Sequence, residues 1–574
     1  MKPLENRVSW LIPLAVTIAA FLFFQFFYSY HLFFKEQIQL FLFTPDYLAS
    51  YLKKPGWLAS LSGDFLTQFF YLHGGGPLVL ALLFLVEYLL VKRILTQVFK
   101  LKMATSWALL PVVADFTLHL GLLYTPASTA GLLYLLLVFW LLNTIQNKTL
   151  LIIGITSFSV FGHWVLGSSI FLFPFLLLFK KDLYKPILTA SLSLFIVIMV
   201  PYLTRPNYLL TLPQVYFYPA VNWKVFLVPG SFLLILLLNK ISEKVRINLT
   251  MVAALSMLLV LVYGFKLNAN FGLGKILALD TETYFGNNEK VLQLAEKMKL
   301  RNRVATYYTN MALAKRGELP VRLLDFYQPS IHGLILPVTQ YENWQTIFFS
   351  NELFYLLGDM NLTQHSAMLG NTFSPYNRSS RMIRRLAEIN MVNEDYEGSE
   401  KFLKMLGKTL FHKKWAEARL KENHAGSQSK WLGLKRNDIA KTDTIRSAFD
   451  YINSIRFLVE QNPQNRVALD YLLCYHLLNK DLQSFKSAYD RFAKPQLNTV
   501  PKVYGEALLI LLFREKASEE TIADYKIQAS QIHDFINYTS SFEEAKGNLD
   551  QLQNRFAKTY WFYFHFATMT EGEE

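Results

Sequence analysis

The chain changes character once, near Leu267, and this change constrains its fold more than any other feature. A membrane-spanning helix needs about 20 apolar residues, or somewhat fewer where neighbouring helices shelter it. The chain is 52% hydrophobic and only 17% charged, and the apolar excess lies before Leu267. The sequence therefore predicts an integral membrane protein with nine spans, at residues 10–30, 77–95, 104–124, 128–142, 149–166, 168–179, 186–203, 226–238 and 249–265.

The distribution of lysine and arginine between these segments predicts their orientation. Cations precede the first span and fill the loops that join spans two and three, four and five, six and seven, and eight and nine. Cytoplasmic loops of membrane proteins carry this excess of positive charge. We therefore expect a multi-pass protein of a bacterial inner membrane with a cytoplasmic N-terminus. Because nine is odd, the C-terminal part is expected on the periplasmic side.

Charge and cysteine content exclude several other classes of protein. The formal net charge is +14, but many cations of the membrane half lie in the short loops, so the sequence does not favour nucleic-acid binding. Cys474 is the single cysteine, which excludes an internal disulfide framework and any cysteine-based zinc or iron–sulfur site. An exported domain without disulfides fits a bacterial envelope.

After the last predicted span the pattern is helical, with polar turn signals between short apolar-periodic stretches. Residues 384–410 read as two helices around a polar turn, with the small Ser399 followed by Phe402, Leu403 and Leu406. This arrangement resembles a degenerate tetratricopeptide unit, in which small residues let paired helices approach closely. The alternative is an irregular all-helical domain, because no strict repeat is visible.

The predicted fold is therefore all-α, with a polytopic transmembrane helical bundle followed by an extracytoplasmic helical domain. The bundle occupies residues 1–266 and includes a long first outer loop at residues 31–76. A tetratricopeptide-like helical domain at 267–420, a linker at 421–441 and a second helical subdomain at 442–574 complete the prediction.

The first outer loop is the most unusual element of the membrane half. It is far longer than an ordinary connection, and aromatic residues such as Phe33, Phe34 and Tyr71 alternate in it with the acidic Asp46 and Asp64. An amphipathic segment of this kind lies on the membrane surface with its aromatic rings at the level of the headgroups.

Such a loop, followed by many spans and a large outer domain, resembles the GT-C class of membrane glycosyltransferases. The resemblance implies a polyprenyl-phosphate-linked sugar donor and a loop carboxylate that acts on the acceptor or on a divalent cation, the one cofactor it suggests. A hydroxyl acceptor must lose a proton, so a carboxylate within reach serves as general base. Carried onto this chain, the resemblance makes Asp64 the first catalytic candidate and Asp46 the second. For Asp64 the alternative is a helix N-cap or a solvated acid.

Ionisable residues within the predicted spans are costly and are therefore functional candidates. Asp115 and His119 are spaced i and i+4, so they share one helix face. They are candidates for a proton-sharing pair or for ligands of a cation, and the alternative is a hydrogen bond that serves helix packing. Glu87 is a further intramembrane candidate.

Three basic or imidazole side chains are candidates for binding the substrate. Arg205 is the lone cation of its outer loop and could hold a lipid phosphate or anchor its span. His163, followed by Trp164, is a second candidate, with a place in the interfacial aromatic belt as the alternative. His73, at the end of the first outer loop, is the third.

Short phrases in the C-terminal part also resemble an uncharacterised bacterial membrane family, known as domain of unknown function 6057. The phrases lie at residues 308–314, 386–390, 408–411, 465–473 and 504–508. The resemblance covers nearly the whole chain. It implies an inner-membrane protein with an outer helical-repeat domain and supplies no activity.

Three functions compete at this point. The first is a GT-C-like transferase that moves a sugar from a polyprenyl-phosphate donor to an envelope glycan or lipid. The second is a non-enzymatic, membrane-anchored scaffold for envelope assembly. The third is a transporter that uses Asp115 and His119 as a proton relay. The expected partners are membrane lipid, the lipid-linked sugar and an envelope protein bound to the helical-repeat face.

Overall fold

A computed structural model of the chain describes residues 2–101, 103–180, 183, 185–204, 226–242, 248–339, 342–374, 377–425, 429–442 and 450–568. These residues form helices and connecting segments without a strand, so the all-α prediction is confirmed. The chain folds into two compact units. The first comprises Met1–Gly274, Thr372–Arg381 and Leu403–Glu417, and the second comprises Lys275–Asn371, Met382–Phe402 and Ala418–Glu574.

The first unit contains the apolar helices. Their bounds are α1 Lys2–Phe27, α2 Ser29–Gln37, α3 Pro45–Tyr51, α4 Trp57–Thr67, α5 Gly75–Gln97, α6 Ala104–Trp107, α7 Leu109–Leu118, α8 Pro126–Leu142, α9 Lys148–Leu166, α10 Leu172–Leu178, α11 Pro186–Thr204, α12 Leu227–Ser242 and α13 Leu249–Asn268. Short 3-10 turns at Gln68–Tyr71 and Gly167–Phe171 complete it.

Three helical runs in the described residues are long and apolar enough to cross a membrane, Lys148–Leu178, Pro186–Thr204 and Leu249–Asn268. A fourth is obtained if Leu11–Phe27 and Ser29–Gln37, which meet at a bend of 75°, are taken as one span. These helices indicate membrane association. The described residues thus give three or four candidate spans, and the prediction of nine is wrong.

The overcount has physical causes. The predicted fifth and sixth spans fall within the one candidate run Lys148–Leu178, which comprises α9, a 3-10 turn and the short α10. The predicted third, fourth and eighth spans are the shorter apolar helices Ala104–Leu118, Pro126–Leu142 and Leu227–Ile241. The predicted second span is the long helix α5, but Glu87, Lys92 and Arg93 fall in its second half. Because three or four spans leave open whether their number is odd, the span count no longer predicts on which side of the membrane the C-terminal part lies.

Two segments from the later chain pack within the first unit. Ser379 donates its hydroxyl hydrogen to the carbonyl of Gln37 at 2.7 Å, and the Phe43 amide donates to the carbonyl of Lys408 at 2.8 Å. The buried imidazole of His412 lies 2.8 Å from the Glu36 carboxylate. The end of α2 and the residues after it are therefore fixed by chain that follows more than three hundred positions later. Gln37 and Ser379, for example, are 342 residues apart in the sequence.

The second unit is built from shorter helices. After α14 Phe271–Tyr284, which begins in the first unit, they are α15 Asn288–Met298, α16 Arg303–Lys315, α17 Leu319–Arg322, α18 Trp344–Leu357, α19 Met360–Phe373, α20 Ser380–Val392, α21 Tyr396–Leu406, α22 Lys413–Ala425, α23 Lys430–Arg436, α24 Tyr451–Gln461, α25 Arg466–Leu478, α26 Leu482–Ala488, α27 Lys502–Arg514, α28 Glu519–Asp524, α29 Ala529–Glu544, α30 Leu549–Phe556 and α31 Tyr560–Phe566. The described part of this unit does not show a tetratricopeptide repeat.

Asparagine side chains begin several of these helices. Asn302, Asn343 and Asn465 each accept a hydrogen bond from an amide in the first turn that follows, at α16, α18 and α25. Asparagine is among the best N-cap residues because its side chain satisfies an amide that has no partner inside the helix. The boundaries of these helices are therefore encoded locally.

Glu506 on α27 joins the C-terminal helix α31 to the core of the second unit. Its Oε2 atom accepts a 2.6 Å hydrogen bond from the Tyr560 amide, and its backbone carbonyl accepts one of 2.8 Å from the Trp561 ring nitrogen. Burial raises the pKa of Glu506 to about 7, against the opposing effects of the Tyr560 amide and Lys502. The protonated carboxyl is therefore favoured in the folded state.

We expect the attachment of α31 to weaken as the pH rises. A carboxyl whose pKa is higher in the folded than in the open state contributes stability below its ordinary pKa and loses it as the pH rises through the folded pKa. In Glu506→Gln the side chain keeps an acceptor but cannot ionise. Hydrogen exchange of Tyr560–Phe566 in the detergent-solubilised full chain should therefore be slower in the variant than in the wild type at about pH 8. The difference corresponds to an opening free energy that is higher in the variant by up to about 3 kcal/mol.

At about pH 5 the two proteins should exchange at similar rates, because the wild-type carboxyl is then mostly protonated. Glu515→Gln, at a half-exposed glutamate paired with Lys486, is the matched control. A difference between the wild type and Glu506→Gln that is the same at both pH values contradicts the expected titration.

Candidate functional site

The helix that carries Asp64 is held closely against its neighbours. Gly56 precedes α4 with φ of 71°, a left-handed conformation that glycine adopts without strain. Its amide donates hydrogen bonds to the carbonyls of His163 at 3.1 Å and Trp164 at 2.8 Å, near the end of α9. Farther along α4, a Cβ atom on Gly63 would lie 2.2 Å from the Cα of Ala127 in α8. Only glycine permits this approach at the position next to Asp64.

Asp64 lies inside α4 and is only 7% exposed, so it is neither a helix N-cap nor a solvated acid. The Tyr51 hydroxyl donates to its Oδ2 atom at 2.6 Å. Tyr47 and Tyr51 are one turn apart on α3, with their hydroxyl oxygens 2.9 Å apart. The side chain of Gln39 donates to the backbone carbonyl of Asp64 at 3.3 Å. The other carboxylate oxygen, Oδ1, is buried and accepts no hydrogen bond.

Two cations lie on the tyrosines that lead to this carboxylate. The Lys54 Nζ atom is 5.3 Å from the centroid of the Tyr51 ring, and the Arg378 guanidinium carbon is 5.3 Å from that of Tyr47. Arg378 is exposed and is placed by its neighbours, since the Ser380 amide donates to the carbonyl of Gln39 at 2.9 Å. We refer to Tyr47, Tyr51, Lys54, Asp64 and Arg378 as the Asp64 site.

Burial dominates the electrostatics of the Asp64 site. It raises the pKa of Asp64 to about 7, while the Tyr51 hydrogen bond and the charge of Lys54 oppose the rise. A carboxyl with such a pKa exchanges its proton near neutral pH, the property that a general base needs. Its Oδ1 atom keeps free lone pairs, because it accepts no hydrogen bond from the described residues.

The other predicted site residues lie elsewhere in the first unit or outside the described residues. Asp46 is exposed in the first turn of α3, where a negative charge stabilises the helix N-terminus. His73 is exposed and its Nε2 atom lies 3.0 Å from the side-chain nitrogen of Gln25 in α1. His163 is buried in the last turn of α9, and its carbonyl accepts a hydrogen bond from Gly56, which precedes α4. Arg205 lies outside the described residues.

Asp115 and His119 lie in a second, fully buried polar cluster. The Asp115 carboxylate accepts hydrogen bonds from the hydroxyls of Tyr124 at 2.5 Å and Thr129 at 2.6 Å. His119 Nε2 lies 2.8 Å from the Thr129 hydroxyl and 3.6 Å from Asp115. The buried ammonium of Lys35 donates to the carbonyls of His119 at 2.9 Å and Tyr124 at 2.7 Å. Lys35 therefore satisfies the carbonyls at the end of α7.

Glu87 is the acid that this cluster leaves without a partner. It is fully buried, and neither carboxylate oxygen accepts a hydrogen bond. In the described part of the chain, no group of three acidic, histidine or cysteine side chains lies close enough together to hold a metal ion. The residues around Asp64 and Asp115 therefore do not fit the divalent cation that the GT-C resemblance suggested.

Several residues of these sites were missed by sequence reasoning. The spacing of Tyr47 and Tyr51 places both on one face of α3 and could have been noticed. In the sequence, Lys54 shows only as one charge of the long first loop. Lys35 gives the same signal, although it is buried. Arg378 gives no local signal, because only the fold brings its segment to the first loop.

We expect Lys35→Met to destabilise the first unit strongly. Methionine fills a similar volume but donates no hydrogen bond, so the carbonyls of His119 and Tyr124 lose their lysine donor in the interior. An unsatisfied buried polar group costs about 1–3 kcal/mol, so the pair is expected to cost roughly 2–6 kcal/mol. Thermal unfolding of the full chain in detergent measures the loss. Lys53→Met, at an exposed lysine, should change the midpoint little, and equal midpoints for both variants would contradict the assignment.

Comparison with known proteins places the chain in a family. Its sequence matches the model of a family of unknown function, DUF6057, over residues 6–567. No curated protein and no solved structure matches it. The comparisons therefore lend no support to the GT-C and tetratricopeptide resemblances, whereas the resemblance to family 6057 is confirmed. Because the match covers nearly the whole chain, the protein belongs to the DUF6057 family.

Proposed function

We propose that the protein is a membrane glycosyltransferase that moves a sugar from a polyprenyl-phosphate donor to a hydroxyl of an envelope glycan or lipid, with Asp64 as general base. One observation carries the proposal. Asp64 is a buried carboxylate with a pKa of about 7 and a free Oδ1 atom, in a loop that the sequence predicts at the membrane surface. Perturbed carboxyls in such surroundings are characteristic of acid–base sites.

The proposed reaction balances with the groups at hand. The acceptor hydroxyl oxygen forms a bond to the anomeric carbon of the sugar, and the bond from that carbon to the phosphate oxygen breaks. Asp64 takes the hydroxyl proton, and polyprenyl phosphate leaves with the bonding electron pair. A base positioned in this way contributes about 10²–10⁴-fold to a rate.

Lys54 and Arg378 provide the charge that the leaving phosphate needs. Cations preorganised where negative charge develops stabilise the transition state, and arginine binds phosphate oxygens through two parallel hydrogen bonds. Both cations stack on the tyrosines that connect to Asp64. The tyrosine pair therefore links the proposed base to the proposed phosphate site.

We also propose that Asp64 faces the periplasm across a bacterial inner membrane, with the N-terminus in the cytoplasm. The α9 helix supports this orientation, because Gly56 of the Asp64 loop bonds to its C-terminal end. Lys148 begins the helix at the opposite end, and Lys185 precedes α11. Positively charged loops mark the cytoplasmic side.

A scaffold function is the second candidate, and a cavity in the second unit favours it. The cavity has a volume of ≈ 560 Å³ and is lined by residues from four parts of the unit, including Asn361, Glu394, Arg436 and Leu458. The Arg436 guanidinium donates to the carbonyls of Met391 at 2.7 Å and Val392 at 3.1 Å. A polar concavity fixed in this way fits a peptide of an envelope partner.

Asp64→Asn is expected to abolish the transferred product. Asparagine keeps the size of the side chain and an acceptor for Tyr51, but it cannot take a proton from the acceptor. The readout is a profile of envelope glycans and glycolipids in cells that carry the variant at native level. Asp46→Asn, at the exposed acid of the same loop, is the matched control and should leave the profile as in the wild type.

The two proposed functions give different results in this experiment. A profile unchanged in Asp64→Asn, together with an envelope defect when residues that line the cavity of the second unit are replaced, rejects the transferase and supports the scaffold. Loss of the product in both aspartate variants contradicts the assignment of the general base to Asp64 and not to Asp46.

The transfer rate is expected to rise with pH through about 7, because the charged form of Asp64 is the base. Tyr51→Phe removes the hydroxyl that stabilises this charged form. A hydrogen bond to a charged group contributes about 1.5–3 kcal/mol, so the midpoint should move up by roughly one to two pH units. Product formation in membrane vesicles, followed against pH, measures the shift. Tyr47→Phe, whose hydroxyl does not touch Asp64, should move it less, and a pH-independent loss in Tyr51→Phe contradicts the role.

A further inference from the structure

A cleft runs between two of the candidate membrane spans, α9 and α11. Its volume is ≈ 550 Å³, within the range of ligand-binding cavities in proteins. Its walls are mainly apolar and include Lys148, Ile152 and Ser159 of α9 and Leu188, Leu192 and Ser193 of α11. Nothing in the Asp64 site uses this cleft.

The direction of the two helices follows from these residues. The hydroxyls of Ser159 and Ser193 lie 2.7 Å apart and are buried. From α9 the cleft is lined by residues 148–159, and from α11 it is lined mainly by residues that precede Ser193. The N-terminal halves of both helices therefore flank the same cleft. The paired serines lie toward one end, and Lys148 lies toward the other.

The walls of the cleft open toward lipid. Ile152 is 56% exposed, Leu188 62% and Leu192 54%, on helices that are apolar enough to span a membrane. In a bilayer these side chains meet hydrocarbon, so the occupant that suits them is an aliphatic chain. Because the serine hydroxyls bond each other, the inner part of the cleft does not require a polar ligand.

The charge at the helix starts selects the headgroup. Lys148 is the first residue of α9 and is exposed, and the exposed Lys185 comes directly before α11. The amides at the start of a helix add partial positive charge. A basic residue at the membrane surface contributes about 1 kcal/mol to the attraction of anionic lipid. This end of the cleft is therefore complementary to a phosphate-bearing, negatively charged headgroup.

We propose that the cleft between α9 and α11 binds an anionic phospholipid, with one acyl chain between the helices and the phosphate at Lys148. The site lies in the leaflet opposite the Asp64 loop, because that loop bonds to His163 and Trp164 near the other end of α9, about 23 Å along the helix from Lys148. The lipid is thus distinct from the proposed sugar donor. The proposal does not depend on the transferase function.

Native mass spectrometry of the full chain, released from mild detergent, tests the site. The protein is titrated with phosphatidylglycerol and, in parallel, with zwitterionic phosphatidylcholine of the same chains. We expect one phosphatidylglycerol to bind above the background of weakly held lipids. Lys148→Gln should lower its affinity about fivefold, whereas Lys266→Gln, at an exposed lysine near the end of α13, should not.

Neighbouring isoleucines provide the control for the acyl chain. Ile152 lines the cleft and Ile153 does not, although their exposed fractions are 56% and 55%. Ile152→Trp should fill the cleft and displace the bound phosphatidylglycerol, and Ile153→Trp should leave it bound. Thermal midpoints of both variants show that each is folded.

Three results overturn the proposal. Equal loss in the two tryptophan variants means that lipid binds the general apolar surface. Equal affinity for phosphatidylcholine, unaffected by Lys148→Gln, means that the charge at the helix starts selects nothing. A dimer that Ile152→Trp abolishes and Ile153→Trp retains means that a second copy of the chain, not a lipid, covers the cleft.

Discussion

The approach of α4 to α8 at Gly63 is the contact on which the Asp64 site depends. It brings a short helix of the first loop against an apolar helix without an intervening side chain. The residue next to this contact is thereby removed from water. Burial then sets the proton affinity of Asp64 and leaves Tyr51 as the one hydroxyl in contact with its carboxylate. A single backbone approach thus turns a surface acid into a group that titrates near neutral pH.

Asp64 and Asp115, two of the buried acids of the first unit, differ in how their carboxylates are satisfied. Asp115 accepts hydrogen bonds on both carboxylate oxygens, from Tyr124 and Thr129, and its neighbour Lys35 bonds two carbonyls. These bonds tie α7 to α8 through side chains. Asp64 has one oxygen bonded and one free. This contrast is the reason for proposing Asp64, and not Asp115, as the general base.

Features that depend on residues close together in the sequence were predictable, and features that depend on contacts between distant parts of the chain were not. The all-helical fold and the apolar first part came from composition and periodicity, and Asp64 became a candidate through the resemblance to GT-C glycosyltransferases. The number of spans did not follow from these patterns, because the apolar pattern does not show that the helices Ala104–Leu118, Pro126–Leu142 and Leu227–Ile241 are shorter than a full span. Arg378 was also beyond reach, because it joins Tyr47 only through segments far apart in the chain. The burial of Asp64 was not predictable either, because nothing in the sequence around Gly63 indicates that it packs against Ala127.

Each end of α9 borders one of the two proposed sites. At its C-terminal end, the carbonyls of His163 and Trp164 hold the loop with Asp64. At its N-terminal end, Lys148 borders a cleft that suits an anionic lipid. In the two proposals taken together, one helix therefore joins the loop of the proposed base at one membrane surface to the proposed lipid site at the other. A lipid that fills the cleft would hold α9 and α11 together, so the lipid composition of one leaflet would bear on the position of a carboxylate in the other.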